Sequence, residues 1–69
     1  GGNMPCILNA ANEVANLAFR KNQCSFLGMA EIIEQTMQKT AFDKNPDLDV
    51  YLQTDKEARR IASEIVSNS

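Results

Sequence analysis

Three stretches of this chain carry apolar residues at alternating three- and four-residue intervals, and nowhere do two alternating stretches occur that could pair as strands. That pattern restricts the fold to helices packed on helices. The first stretch runs from about Met4 to Lys21, with Ile7, Leu8, Ala11, Val14, Ala15, Ala18 and Phe19 on one face. Asn3 is placed as its N-cap, and Pro5 falls in the first turn, where a missing N–H costs nothing. Arg20 and Lys21 suit the negative end of the helix dipole, and Asn22 is suited to a left-handed stop.

The second stretch runs from about Leu27 to Thr40, with Ser25 as cap. Its stripe is Phe26, Ala30, Ile33 and Met37, broadened by Met29 and Ile32. The short link at residues 22–25 predicts antiparallel neighbours. Asn45-Pro46 forces the chain out of the α region, and Leu48, Val50 and Leu52 then alternate strictly. With no partner strand, residues 43–53 are expected to form an extended segment laid across the bundle, anchored by those three side chains. The third helix is expected from about Asp55 to Ser67. Thr54 and Glu57 have capping-box spacing, Asp55 is a rival cap, and Ala58, Ile61, Ala62 and Ile65 form the stripe with Val66 beside it. Glu57 and Arg60 are one turn apart and able to pair.

At 69 residues the chain is one domain at most, and its core is marginal. Cys6 and Cys24 are distant in sequence and form no CxxC pair, and there is no histidine, so neither a disulfide framework nor a zinc site is expected. The net charge is −2, with the basic residues scattered, which argues against nucleic acid as a partner. No apolar run approaches the roughly 20 residues of a membrane span. With no targeting sequence visible, the thiols are read as reduced and the location as cytoplasmic. The chain begins at Gly1-Gly2, which fits either processing or a start within a longer protein; the second is preferred.

The most unusual feature is Leu8-Asn9-Ala10-Ala11-Asn12-Glu13. On a helix Asn9, Asn12, Glu13 and Asn16 share one face. Asparagine is a mediocre helix former, so several on one face imply work for their side chains. That work is either a ligand site or, the preferred reading, a docking or hydrogen-bonding surface, because one glutamate among amides offers no nucleophile–base pair or metal cluster. Cys6 is read as a small core residue and Cys24 as a loop residue. Met4, Met29 and Met37 are read as core filler rather than a binding groove. The Asp43, Asp47, Asp49 run lacks the order and closing glutamate of a calcium loop. No catalytic, cofactor-binding or metal-ligating residue is assigned.

Gly1-Gly2-x-Met4-Pro5 followed by Leu8-Asn9-Ala10-Ala11-Asn12-Glu13-Val14-Ala15 resembles the C-terminal region of 1-deoxy-D-xylulose 5-phosphate reductoisomerase. The similarity continues through Ala18-Phe19 and Phe26 and resumes at Asp55-x-x-Ala58-Arg59-x-x-Ala62. The resemblance implies a parent oxidoreductase of non-mevalonate isoprenoid biosynthesis, which uses NADPH and Mg²⁺ or Mn²⁺ to make 2-C-methyl-D-erythritol 4-phosphate. It implies that this part is a helical support domain, with the chemistry and the cofactors in the rest of the parent. The family's domain is a four-helix bundle, and the helix that precedes the Gly-Gly is not among these residues. The family's Thr or Ser before an acidic residue at the second helix is replaced by Leu27-Gly28.

The expectation is therefore an all-α, small antiparallel three-helix bundle: a four-helix bundle lacking its first helix. It is read as inert alone and partnered by the rest of the parent enzyme. The groove left by the missing helix is expected to drive self-association, a second copy filling it. The alternative is an independent helical protein–protein interaction module.

Overall fold

The computed structural model describes residues 1–68, which form three helices: α1 (Met4–Arg20), α2 (Phe26–Lys39) and α3 (Leu48–Ser67). No strand occurs among the described residues. Each helix packs on the other two. α1 and α3 run in the same direction: Asn3 meets Thr54, Ile7 and Ala10 cluster with Ala58, and Ala15 clusters with Ala62 farther along. α2 returns between them, giving the expected up-down-up bundle.

The core is built from small residues. Ala10, Ala11, Ala15, Ala58 and Ala62 are fully buried, with Ile7, Ile32 and Ile61 as the large side chains among them. Alanines at a helix contact let the backbones approach closely, so a short chain gains packing density from few atoms. Cys6 is buried and Cys24 half-buried, both as free thiols, in keeping with their structural reading. Cys6 Sγ donates to the Tyr51 carbonyl at 3.5 Å and Cys24 Sγ to the Ala15 carbonyl at 3.9 Å.

The helix ends follow local chemistry in part. Ser25 caps α2, its hydroxyl accepting from the Gly28 N–H at 2.9 Å. Asn22 adopts φ 60°, the left-handed stop expected of it. Asn3 does not cap α1 with its side chain; it is turned inward, as described below.

Two expectations are corrected. Residues 43–53 are not an extended segment. α3 begins at Leu48, capped by Asp47, whose carboxylate accepts from the Val50 N–H at 2.8 Å. Thr54 and Asp55 therefore lie inside the helix and cap nothing, and only residues 40–47 link α2 to α3. Leu48 and Leu52 are not anchors: they are 73% and 61% exposed. Their alternation resembles a strand, but an aspartate cap following Asn-Pro starts a helix regardless of which side chains it buries.

The stripe of α2 is the second correction. The buried residues are Ile32 and Thr36, while Phe26 is 72% exposed and Ala30 is also exposed. Thr36 fills a core position because its hydroxyl is satisfied within the helix, donating to the Ile32 carbonyl at 2.7 Å. Thr40 repeats the device on Thr36 at 2.7 Å. Apolar periodicity alone cannot find a buried threonine; of the expected stripe, Ile32 is buried and Met29, Ile33 and Met37 pack on the core, while Phe26 and Ala30 lie outside it.

Candidate docking surface

Asn9, Asn12, Glu13 and Asn16 all lie exposed on the outer face of α1, as their spacing requires. The amides are only partly used: Asn16 Nδ2 donates to the Asn12 carbonyl at 2.8 Å and to its Oδ1 at 3.2 Å. Glu13 is committed to the fold. Its carboxylate accepts from Arg59 Nη2 on α3, while Arg59 Nε donates to Asp55 at 2.9 Å. The Asp55 and then the Glu13 hydrogen bonds raise the Arg59 pKa further above its already high range. This trio clamps α1 to α3 at mid-length.

On the far side of α3, Arg60 pairs with Glu57 and with Glu64, one turn to either side. The Arg60 hydrogen bond holds the Glu57 carboxyl below its ordinary value. α3 thus has a charged back. Its α1-facing flank carries Leu48, Tyr51, Leu52, Asp55 and Arg59, at the i, i+3, i+4, i+7 and i+11 positions of one helix face.

The first turns of α3 lie beside the start of α1 and the α2–α3 link, where Cys6 meets the Tyr51 carbonyl and Asn3 meets Thr54. Val50 turns toward the 40–43 link and lines a small cavity with Phe42 and Asp43. Leu48, Tyr51 and Leu52 turn the other way and are 73%, 41% and 61% exposed.

A second apolar feature lies between α1 and α2. Met4, Ala30, Ile33 and Met37 line a shallow groove edged by Glu34 and Gln38. Phe26, nearer the α1–α2 turn, meets Phe19 edge-on with ring centroids 5.9 Å apart. The side chains expected to fill the core from α2 thus line this open groove. Met4 and Met37 do pack on Ile7, Ala10 and Ala58 at its floor, and Met29 packs on the Ala15–Ile32–Ala62 cluster, so the methionines serve both core and groove.

The residue that spacing did not single out is Asn3, 1% exposed. Its Nδ2 donates to the Ala41 carbonyl and to Thr54 Oγ1, both at 3.0 Å. Its Oδ1 accepts from the Asp43 N–H at 2.9 Å, and its own N–H donates to the Asp43 carbonyl at 3.0 Å. One amide thereby joins the start of α1, the α2–α3 link and α3. Gly2 makes this possible: it sits at φ 60°, and a Cβ there would lie 2.3 Å from the Asp43 carbonyl oxygen. The local signal was the Gly-Gly-Asn run itself, which places an amide directly after a left-handed glycine.

Among the described residues, no three His, Cys, Asp or Glu side chains come together as a metal site, and no helix is long and apolar enough to cross a membrane.

Comparison with known proteins places this arrangement. Residues 1–61 match the family model of the DXP reductoisomerase C-terminal domain. The chain is 58% identical over 66 residues to 1-deoxy-D-xylulose 5-phosphate reductoisomerase of Bacteroides thetaiotaomicron, covering 96% of this chain and 17% of that protein. It is 57% identical over 67 residues to the enzyme of that name from Phocaeicola vulgatus, covering 97% and 18%. It is 38% identical over 66 residues to the one from Porphyromonas gingivalis, covering 96% and 17%. The chain spans about a sixth of the length of these relatives. No solved structure matches it. The helices, their buried alanines and the exposed Asn9-to-Asn16 face are therefore those of a chain that belongs to the DXP reductoisomerase C-terminal domain family.

Proposed function

We propose that the chain is the support domain of a 1-deoxy-D-xylulose 5-phosphate reductoisomerase and carries none of its chemistry. The observation behind this reading is the family match over residues 1–61, joined to 58% identity with a reductoisomerase about six times as long. The parent would use NADPH and Mg²⁺ or Mn²⁺ to make 2-C-methyl-D-erythritol 4-phosphate. Among the described residues no three His, Cys, Asp or Glu side chains converge to hold that metal, and its ligands are assigned to the rest of the parent. What these side chains do is hold a scaffold. The buried polar residues Asn3, Thr36, Thr40 and Thr54 are all spent on hydrogen bonds within and between helices.

The reading makes the rest of the parent the partner of this domain and the cytoplasm its location, in keeping with two free thiols. The Asn9, Asn12, Glu13 and Asn16 face is then a docking or network surface. Its test is turnover: the full-length parent oxidises NADPH in the presence of substrate and metal, and the 69-residue chain does not. Turnover by the chain alone would refute the support role.

The exposed Phe26, Leu27, Leu48 and Leu52 favour one other reading, an independent helical interaction module. The encoding frame separates the two. Continuation upstream into a dinucleotide-binding sequence supports the support domain; a start codon at this point supports the module.

A further inference from the structure

We propose that the preceding part of the parent polypeptide docks on the α1–α3 face formed by Leu48, Tyr51, Leu52 and Asn9, and not on the charged back of α3; this rests on the support-domain reading above. The face is a built surface. On α1, Cys6, Asn9 and Glu13 form one row; on α3, Tyr51, Leu52, Asp55 and Arg59 form the facing one. The rows are joined at one end by the Cys6–Tyr51 hydrogen bond and at the other by the Glu13–Arg59 ion pair. Asn9 lies in its row between those two ties, which set the spacing of α1 and α3 beneath it.

Its chemistry selects the occupant. Glu13 and Asp55, the carboxylates of the two rows, are both held by Arg59. What remains is two leucines, a tyrosine and an amide. Interface centres are enriched in tyrosine and depleted in unpaired charge, because each bare charge resists leaving water. The back of α3, with Glu57, Arg60 and Glu64 more than half or about half exposed, is the solvated side by the same rule. The chain is 17% of the length of its relatives, so most of such a polypeptide lies outside it and is tethered to it. Tethering raises the local concentration of that partner far above any free one. The exposed Leu48 and Leu52 supply apolar area that this chain leaves uncovered, of the kind that interdomain contacts bury.

The test uses the full-length natural polypeptide with single substitutions Leu48→Cys, Leu52→Cys and, on the back of α3, Glu64→Cys. Maleimide labelling is read peptide by peptide by mass spectrometry, which separates the new thiols from Cys6 and Cys24. The 69-residue chain carrying the same substitutions sets the reference rate. Leu48 and Leu52 are exposed in it, so the reference holds whether or not it is folded. The expected result is labelling at Leu48→Cys and Leu52→Cys at least tenfold slower in the full-length protein, with Glu64→Cys within threefold of its reference. Leu52→Cys labelling within threefold of its reference overturns the proposal. So does equal protection of Glu64→Cys. Protection that grows with protein concentration in the 69-residue chain overturns it in favour of a second copy. NADPH turnover by the wild-type full-length protein reports separately on the underlying reading: turnover with free labelling at Leu52→Cys leaves that reading standing and removes the docking face.

Discussion

The buried Asn3 side chain makes three long-range hydrogen bonds, to Ala41, Asp43 and Thr54. Removing one partner of a buried hydrogen bond costs roughly 1–3 kcal/mol when the other is left bare. Asn3→Ala strips three such partners, at Ala41, Asp43 and Thr54, and partial hydration of the link offsets some of the loss. The expected destabilisation is about 2–4 kcal/mol by urea titration; a loss below 1 would mean the network is not closed in solution. Gly2→Ala should cost at least about 1 kcal/mol in the same titration, through backbone strain and the clash with the Asp43 carbonyl. Cys6 gives a pH test. Burial first, and Asp55 second, push its thiol above the ordinary 9.0. The neutral thiol is thus favoured in the folded state. Its contribution is complete below the unfolded value and is lost as pH rises through the folded one. Stability should fall above about pH 9, and Cys6→Ala should flatten that fall in titrations from pH 8 to 10.5. Sequence reading assigned Cys6 correctly because a small thiol in an alanine-rich stripe has a local signature. It placed Asn3 correctly as the N-cap residue of α1 but not its side-chain partners, because capping rules see three residues ahead and those partners lie 38 to 51 residues away.

At the level of the helix, α1 was legible from end to end: a proline in the first turn, a clear stripe and a left-handed asparagine after it all agree. α3 was legible only in its second half. Its first turns bury little against this chain, since Leu48 and Leu52 face outward, so amphipathic spacing had nothing to report there. The informative residue was Asp47, whose capping role needs no burial. Asp47→Ala should cost about 1 kcal/mol and remove helical signal in far-UV circular dichroism, with fraying confined to residues 48–53. The Glu13–Arg59 tie between α1 and α3 is half-exposed. A double-mutant cycle should assign it less than about 1 kcal/mol, shrinking further in high salt.

For the molecule as a whole, the sequence showed the bundle and the Asn9-to-Asn16 face, but not what flanks that face. The open groove of Met4, Ala30, Ile33 and Met37 arises because the core took Ile32 and Thr36 instead. No described residue covers this groove, so the isolated chain should associate through it. Sedimentation at micromolar concentration should show a dimer or larger species, and Ile33→Glu should return it to monomer. A compact wild-type monomer would count against the groove as an association site.

The parallel course of α1 and α3 has a kinetic consequence. Asn3 binds the first turn of one end helix to the interior of the other and to the link that leads into it, like a knot tied where three cords meet. Neither helix can peel from that end without releasing the second. Amide hydrogen exchange should therefore find α1 and the body of α3 opening as one unit with one free energy, while residues 48–53 exchange on their own faster clock.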